Sequence, residues 1–455
     1  MRILWRGDEG YEQARLDVVW HARKPDRYPD GIAFAQGRQD VVDAVRLARE
    51  RGLKVKARSG GHSWTASSVR DGGLLIDLSG LGAWAVDADA GTAMVEPGAK
   101  GRDLNEGLAE HGLFFPTGHC PTIALGGFLL QGGWGWTSRA LGPACMSVTA
   151  VDVVTADGEL VHASETENPD LLWAARGAGS GFFGVVVGYH LRCHPRPASM
   201  MRSIYAYSLD EAEELMRWAH AMQPEWPAAL ELQFLGSFPR NPDASPAAEG
   251  DAMIMVIGFA LFDSEEESVA ALRLLETAPV RDKALVVEAC VPSTLDELYE
   301  LVDSYARPEV AYAGDSLWSD DGADELVPAF LEMVRDMPTR WSYVLWWPWV
   351  PQALDGVALS VTGKHYISPF SGWADPADEA EVAAWPGEHM RRLDHLSKGI
   401  QLADENLLGR PDARYMTDEN AARLEALRAT WDPEGRFHSF LFGDARAAAG
   451  GATSA

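Results

Sequence analysis

The segments Arg58-Ser59-Gly60-Gly61-His62-Ser63 and Gly118-His119-Cys120-Pro121-Thr122-Ile123 carry most of the information in this chain. Each places a nucleophilic side chain, His62 or Cys120, beside backbone that glycine leaves open. The first segment follows residues 53–57, a short alternating run that is typical of a strand. Glycines after a strand let backbone N–H groups form a concave nest for a pyrophosphate, with no Cβ in the way. The two segments therefore predict a cradle for a phosphorylated, electrophilic cofactor to which both side chains can bond.

A glycine-rich stretch follows the second segment. Residues 126–135 contain two Gly-Gly pairs and end in Trp134-Gly135, a pattern that lets backbone approach a flat cofactor closely. No strand leads into a GxGxxG turn of the Rossmann type, and no GKS or GKT sequence marks a Walker A loop. The pattern thus favours a cradle for a flat cofactor that differs from both of these nucleotide sites.

Composition limits the class of protein. The chain has 455 residues, 47% of them hydrophobic, which is enough to bury a sizeable core in two or three domains. A net charge of −28 would repel a polyanion, so we expect no nucleic-acid partner. The four cysteines show no zinc-site spacing, and the N-terminal segment lacks the apolar run of a signal peptide. We expect a cytoplasmic location, no membrane partner, no metal and no disulfide framework.

The periodicity of the sequence changes at a proline-containing stretch, residues 194–197. Before it, short strands alternate with helices and many glycines; after it, longer strands pair with acidic amphipathic helices. A domain boundary is therefore predicted at residues 196 and 197. Residues 445–455 are typical of a disordered tail. The predicted elements are helices over 41–48, 102–111, 210–222 and 264–276, and strands over 53–57, 74–78, 148–155, 204–207, 230–234, 253–262, 341–349 and 358–367.

At this point the chain resembles the flavoproteins of the vanillyl-alcohol oxidase and p-cresol methylhydroxylase superfamily, in particular the berberine-bridge-enzyme-like branch. The resemblance is clear in the part before residue 196 and at the C-terminal end. The middle of the chain resembles the family only in its general pattern of strands and helices. The motifs that carry it are Arg58–Ser63, Leu75-Ile76-Asp77-Leu78-Ser79, Gly118–Ile123, Gly126-Gly127, Gly132-Gly133-Trp134-Gly135, the stretch from Gly179 to Val186, and residues 415–427 with Trp431-Asp432-Pro433.

The resemblance implies both a cofactor and a fold. In this branch the histidine bonds to the flavin 8α-methyl group and the cysteine to C6, so FAD would be attached through His62 and Cys120. The implied fold class is α+β, with a two-subdomain FAD-binding domain at 1–196. A substrate-binding domain at 197–405 has an antiparallel sheet covered by helices, and a C-terminal segment at 406–455 returns to the first domain. The residues expected to bind FAD are Arg58, Ser59, Gly60, Gly61, His62, Ser63, Gly118, Cys120, Thr122, Ile123, Gly126, Gly127, Gly132, Gly133, Trp134, Gly184 and Val186.

The chain departs from the family pattern at the catalytic base. Sugar-oxidising relatives carry a tyrosine base in the region that corresponds to residues 399–406, and this chain has none there. His365 and Tyr366 are the expected catalytic residues, because their strand lies over the flavin in relatives. Glu405 and Tyr343 are the reserve candidates. Further departures from the family pattern stand at Phe128, Phe182 and residues 437–440.

The leading interpretation is an FAD-dependent oxidoreductase that moves a hydride from an alcohol or amine carbon to flavin N5. The tryptophans within 341–349, with Trp318 and Trp373, indicate a flat or apolar substrate such as a secondary metabolite. The electrons pass to O2 or another acceptor; in relatives a bulky residue at the position of Ile123 accompanies dehydrogenases, which favours the latter. A sugar or oligosaccharide oxidase that forms a lactone, and a flavin-retaining non-redox cyclase or lyase, remain as alternatives.

Overall fold

The structure is a computed structural model that describes residues 1–441 and contains three main sheets; the predicted tail at 445–455 lies outside the described residues. Among these residues, no helix has both the length and the apolar character needed to cross a lipid bilayer. The strands are β1 (Arg2–Trp5), β2 (Gly31–Phe34), β3 (Val55–Arg58), β4 (Leu74–Asp77), β5 (Trp84–Asp87), β6 (Thr92–Val95), β7 (Leu113–Phe114), β8 (Val148–Val154), β9 (Leu160–Ser164), β10 (Val185–Arg192), β11 (His194–Pro195), β12 (Ser199–Ser208), β13 (Leu230–Ser237), β14 (Met253–Phe262), β15 (Val286–Pro292), β16 (Ala311–Gly314), β17 (Leu317–Ser319), β18 (Tyr343–Pro348) and β19 (His365–Trp373). The helices are α1 (Tyr11–Asp17), α2 (Arg38–Glu50), α3 (Gly101–Ala109), α4 (Leu125–Leu130), α5 (Ser138–Leu141), α6 (Pro169–Ala175), α7 (Leu209–Met222), α8 (Glu265–Arg273), α9 (Leu295–Asp303), α10 (Ala323–Arg335), α11 (Glu379–Val382), α12 (Trp385–Arg392) and α13 (Asp418–Trp431).

The first sheet is built around a β–α–β unit. β2 and β3 both pair in parallel with β4, while β1 adds to β2 in the antiparallel direction. α2 connects β2 to β3 and buries Val41, Val45 and Ala48, which helical spacing places on one face. Gly52, at φ 68°, then turns the chain towards β3. The end of β3 leads directly into the first of the two predicted cofactor segments.

The second sheet is antiparallel and has the order β5-β6-β10-β8-β9. Its core joins the sheet to three helices, because Leu104 of α3, Leu129 of α4 and Leu172 of α6 pack with Val186 of β10. The second predicted segment runs between α3 and α4. Packing of both helices on this sheet therefore sets its position.

The third sheet holds eight antiparallel strands in the order β15-β12-β14-β13-β18-β19-β16, with β17 also paired to β19. Successive side chains of a strand point to opposite faces. On one face, Leu232, Phe234 and Trp346 pack in a core that also contains residues of α7, α8, α10 and α12. On the other face, Leu235 and Tyr343 belong to a separate core that faces the two smaller sheets. The sheet therefore has one face covered by these four helices, which we call the helix-covered face, and one face turned towards α9 and the rest of the chain.

The chain returns to the first sheet after α13. Val55 N donates to Arg436 O at 2.7 Å, and Phe437 packs into the core of the first sheet. The C-terminal end of the described chain thus lies beside β3, next to the segment that β3 leads into.

One predicted strand is shorter at its N-terminal end than expected. We expect strand from residue 358, but β19 begins at His365. The preceding residues pair elsewhere, since Leu359 N donates to Arg176 O at 3.1 Å rather than to a neighbouring strand. Tertiary contact with the end of α6 therefore overrides the local strand pattern.

Candidate active site

A cavity of about 320 Å³ lies between the loops of the two smaller sheets and the face of the third sheet that is turned towards α9 and the rest of the chain. The two predicted segments form one wall of it. Three of the predicted FAD-binding residues, Thr122, Gly132 and Gly133, do not line the cavity. Those that do are Arg58, Ser59, Gly60, Gly61, His62, Ser63, Gly118, Cys120, Ile123, Gly126, Gly127, Trp134, Gly184 and Val186.

The turn after β3 depends on a glycine and an arginine. Gly61 has φ 73°, and a Cβ at this position would collide with the Val18 carbonyl oxygen, so glycine is required. Arg58 donates to Asp77 Oδ1 at 3.0 Å and to Val18 O at 2.9 Å. These two interactions hold the turn, so Arg58 supports the cradle through protein contacts.

His62 is held in the cavity wall as a neutral imidazole. Its Nε2 lies 3.1 Å from the Thr122 hydroxyl in a hydrogen bond, and its ring stacks on Trp20 with 4.7 Å between ring centroids. Burial lowers the pKa of His62 to about 3. The imidazole therefore keeps a lone pair at neutral pH, as bonding to an electrophilic carbon requires. The bond to Thr122 also joins the two predicted segments.

Cys120 lines the cavity as a free thiol. Burial raises the pKa of Cys120 to about 12, and the charges of Asp303 and Asp404 act in the same direction. The group is therefore a thiol at neutral pH. Because the thiolate is the nucleophile, Cys120 must lose its proton when it reacts.

Helix α4 offers the cavity a bare backbone surface. A Cβ added at Gly126 would lie 2.7 Å from Pro97 Cβ, whereas a Cβ added at Gly127 would meet no atom within 4 Å. Since Gly127 lines the cavity, its missing side chain leaves space for a flat ring system. This open surface, the neutral imidazole and the buried thiol all lie on one wall, and together they fit a flavin bonded to His62 and Cys120.

The second glycine pair shapes the backbone at the end of α4. Gly132 and Gly133 have φ 101° and 79°, and they end α4. Their carbonyl groups accept from Cys145 N at 2.9 Å and from Ala144 N at 2.8 Å. They thereby place Trp134 in the cavity wall. The departures from the family pattern that line the cavity are Phe128, Phe182, Phe437 and His438.

The opposite wall is formed by the other face of the third sheet together with α9, and it is mostly apolar. Trp347 is the tryptophan of the predicted aromatic stretch that lines the cavity. Trp346, one position earlier, packs on the helix-covered face, and Trp318 and Trp349 pack together in a neighbouring core cluster. The residues of the third sheet and of the segment around α9 that line the wall are Gln233, Leu235, Ile257, Phe259, Leu301, Val302, Tyr305, Ala306, Tyr343, Leu345, Trp347 and Phe370.

His365 lies away from the cavity, contrary to the expectation that it acts as a catalytic base. It falls on the helix-covered face of β19, where Trp346 Nε1 donates to its Nδ1 at 3.2 Å and its ring stacks on His220. Burial, followed by the charge of His220, lowers the pKa of His365 to about 3. The strand alternation explains the miss, because neighbouring residues of a strand face opposite sides.

Tyr366 lies on the other face of β19 and is linked to the cavity by a hydrogen bond to a carboxylate. Its hydroxyl donates to Asp404, which itself lines the cavity. Burial raises the pKa of Tyr366 well above its ordinary value, and the charge of Asp404 adds to this. The phenol therefore stays protonated and acts as a hydrogen-bond donor to Asp404. The reserve candidate Tyr343 lines the cavity, but burial raises its pKa well above 10 as well.

Asp404 is a cavity-lining carboxylate that the sequence interpretation did not name. Besides the Tyr366 hydroxyl, it accepts from Trp64 Nε1 at 2.7 Å and from Gln401 Nε2 at 3.2 Å. Burial raises the pKa of Asp404, while the donors Tyr366 and Trp64 lower it, and the net shift is upward. The available signal was an acidic residue inside residues 399–406, the region where relatives carry the tyrosine base.

Glu405, the reserve candidate next to it, has a structural role. Its carboxylate accepts from Thr65 Oγ1 at 2.6 Å and from Leu407 N at 2.7 Å. It does not line the cavity. Of two adjacent acidic residues, the fold thus turns Asp404 towards the cavity and Glu405 towards the protein.

Comparison with known proteins points to the same cofactor. A family profile described as an FAD binding domain matches residues 29–164. The FAD-linked oxidoreductase ptmO of Penicillium ochrochloron is 31% identical over 449 residues, which cover 97% of each chain.

Solved structures show the same fold. The 6-hydroxy-D-nicotine oxidase of Arthrobacter nicotinovorans superposes with a TM-score of 0.81 at 21% identity, over 96% of each chain. The berberine bridge enzyme of Eschscholzia californica superposes with a TM-score of 0.79 at 17% identity, also over 96% of each chain. The predicted α+β fold class is therefore confirmed.

Proposed function

Because this chain belongs to the FAD-linked oxidoreductases of the vanillyl-alcohol oxidase and p-cresol methylhydroxylase superfamily, in the berberine-bridge-enzyme-like branch, we propose that it oxidises an alcohol or amine carbon. The substrate is a small, largely apolar molecule, and FAD is attached through His62 and Cys120. The observation that carries the proposal is the cavity, which has both nucleophiles on one wall and an apolar sheet with one nearby carboxylate on the other. When bound there, FAD supplies the hydride acceptor.

The two attachment residues differ in what they need before bonding. His62 presents a neutral nitrogen at physiological pH, because burial holds its pKa near 3. Cys120 presents a thiol that must first give up its proton, because burial raises its pKa to about 12. Thr122 holds the imidazole in one orientation through the 3.1 Å hydrogen bond.

Asp404 takes the heteroatom proton of the substrate. Its three donors fix both carboxylate oxygens, and its raised pKa makes it a better base than an ordinary aspartate. Tyr366 and Trp64 keep the carboxylate oriented during the proton transfer. This pair of an aspartate and a tyrosine replaces the tyrosine base of sugar-oxidising relatives.

The cavity wall supports an apolar substrate. Side chains such as Ile257, Phe259 and Phe370 offer no hydrogen bonds to the many hydroxyl groups of a sugar. Ile123 lies in the wall as well, and its bulk favours an electron acceptor other than O2. A test is anaerobic flavin reduction against a library of alcohols, sugars and aromatic amines. Bleaching by sugars alone would contradict the proposal.

The attachment of FAD is tested by acid precipitation and intact mass. Wild-type protein is expected to keep its flavin after acid treatment, and so are His62→Ala and Cys120→Ala, each through the remaining bond. The double variant is expected to release it. Matched controls are His194→Ala and Cys145→Ala, which lie outside the cavity lining. Release of flavin from the wild-type protein would refute the attachment.

A further inference from the structure

A second polar group lies in the cavity wall beside Cys120. His119 lines the cavity, and its Nε2 is 2.6 Å from Glu231 Oε1. Both side chains are buried, with 8% and 3% of their surface exposed. We call these two residues the His119–Glu231 pair. A buried carboxylate needs partners, and here the imidazole is one of them.

Strand alternation puts Glu231 on the cavity side of the third sheet. In β13, Leu230 and Leu232 pack in the core under the helices, so Glu231 and Gln233 face the other way. Gln233 lines the cavity, and its Nε2 donates to Glu231 Oε1 at 3.1 Å. Polar residues at two alternating positions of an otherwise apolar strand are thus aimed at the site.

The carboxylate sets the tautomer of the imidazole. An ionised glutamate only accepts, so Nε2–H of a neutral His119 donates to it, and in that tautomer Nδ1 keeps the lone pair. Within residues 1–441, Nδ1 has no hydrogen-bond partner. Since Nε2 is engaged by Glu231 and the ring lines the cavity, Nδ1 is the nitrogen left to meet a ligand.

Two tryptophans hold the ring in place. Trp136 and Trp347 meet the imidazole edge-on, with ring centroids 4.5 and 4.7 Å away. Trp347 also lines the cavity. The acceptor nitrogen therefore has a fixed position in an apolar setting, where a single hydrogen bond discriminates strongly between ligands.

We propose that His119 Nδ1 accepts a hydrogen bond from an O–H or N–H group of a flat, apolar substrate, and that Glu231 is a positioning residue that acts through His119. The inference rests on the proposed function for the identity of the site. It adds a second anchor to Asp404, which lines the same cavity. A substrate that bonds to both His119 and Asp404 has a fixed orientation in the cavity and presents only part of its surface to the apolar wall.

The test is calorimetric titration of the purified holoenzyme with 2-naphthol and with 2-methoxynaphthalene. The second probe keeps the rings and the oxygen but cannot donate a hydrogen bond. Wild-type protein is expected to bind 2-naphthol at least about tenfold more tightly, the equivalent of one good hydrogen bond. In His119→Gln, whose amide still reaches Glu231 but leaves no acceptor at the position of Nδ1, the two affinities are expected to become equal.

Two further variants separate recognition from folding. His119→Asn, which offers an amide oxygen near the position of Nδ1, is expected to keep part of the preference, and Glu231→Gln to reduce it. The matched control is His194→Gln, because His194 Nε2 bonds to Ser147 Oγ at 2.9 Å outside the cavity. It is expected to keep the full preference.

An unchanged preference in His119→Gln would overturn the proposal, and so would failure of the wild-type protein to bind either probe. Calorimetry reports binding without turnover. Absence of flavin, or absence of bleaching by any library compound, would therefore contradict the proposed function. The comparison of the two naphthalene probes would still test the role of His119.

Discussion

Asp404 has the position and the environment that a base needs, whereas the expected base His365 has neither. Both lie in segments that the sequence singled out. Asp404 lines the cavity and is held by three donors, and His365 is buried beneath helices. What separates them is the direction in which each side chain points, and each residue prediction below depends on that direction.

Substituting Asp404→Asn is expected to slow anaerobic flavin reduction by about 10²–10⁴-fold, because an amide cannot take up the substrate proton. The ionised carboxylate is the base, and the pKa of Asp404 is raised above 3.8. The wild-type rate should therefore fall as pH falls through that raised pKa, and the variant should lose this acid limb. Stopped-flow absorbance against pH measures both. Glu405→Gln, outside the cavity lining, should keep the limb. A wild-type rate in Asp404→Asn would rule Asp404 out.

Substituting Ile123→Val is expected to speed reoxidation of the reduced protein by O2. Ile123 lines the cavity, and its Cδ1 would lie 2.9 Å from a Cβ placed at Gly118, so the side chain fills the space beside that glycine. A smaller residue opens a path of about one methyl group at this point. Stopped-flow mixing of reduced protein with oxygenated buffer measures the rate, and Leu125→Val, in the core of the second sheet, is the control. An unchanged rate would remove Ile123 from the choice of electron acceptor.

At the scale of elements, the site depends on strand alternation and on one short helix. β13, β18 and β19 each send alternate residues to the helices and to the cavity, as Phe234 and Leu235 show in β13 and Trp346 and Trp347 show in β18. α4 contributes backbone atoms to the cavity wall, whereas the strands contribute side chains. Among the cavity-lining glycines of the described chain, Gly127 is the one at which an added Cβ would meet no atom within 4 Å.

Substituting Gly127→Leu is expected to yield folded protein without flavin. A Cβ there meets no atom within 4 Å, so the larger side chain enters the cavity without a clash and occupies the space of the cofactor. Flavin absorbance per protein and circular dichroism measure the two properties. Gly126→Ala is the contrasting control, because its Cβ would lie 2.7 Å from Pro97 and should disturb folding itself. Full flavin content in Gly127→Leu would show that the cofactor lies elsewhere.

At the scale of the whole molecule, the cavity exists because three sheets and the returning C-terminal segment enclose it. The cavity-lining residues Arg58, Cys120, Gln233, Asp404 and Phe437 come from five distant parts of the chain, and Phe437 closes the end beside β3. Packing of the chain also buries histidines in neutral form. Burial lowers the pKa of His21 to about 4 and that of His365 to about 3.

These buried histidines predict acid sensitivity of the fold. The unfolded chain takes up a proton at His365 below pH 6.5 and the folded chain does not, so stability is lost as pH falls from 6.5 towards 3. Between pH 6.5 and 5 this one group accounts for up to about 2 kcal/mol. His365→Asn keeps an acceptor for Trp346 and is expected to flatten the pH dependence of the free energy of unfolding. The exposed His111→Asn is the control, and equal slopes in wild type and His365→Asn would contradict the prediction.

The sequence by itself determined the features that depend on local geometry. Glycine at a positive φ marks the turn at Gly61, helical spacing predicts α2, and a run of apolar residues predicts β14 with its observed ends. These local signals, with the resemblance, were enough to predict the fold class and FAD. They suffice because backbone sterics and side-chain periodicity act over a few residues.

Only the tertiary structure decided which side chains meet around the cavity. No local sequence pattern distinguishes Asp404 and Glu231 from Glu405 or from other acidic residues. His119 is distinguished only in the folded chain, where its Nε2 lies 2.6 Å from Glu231 Oε1. Strand register and the packing of one sheet face against two others bring these groups to Cys120. Such long-range packing is a property of the folded chain as a whole, so no short pattern encodes it.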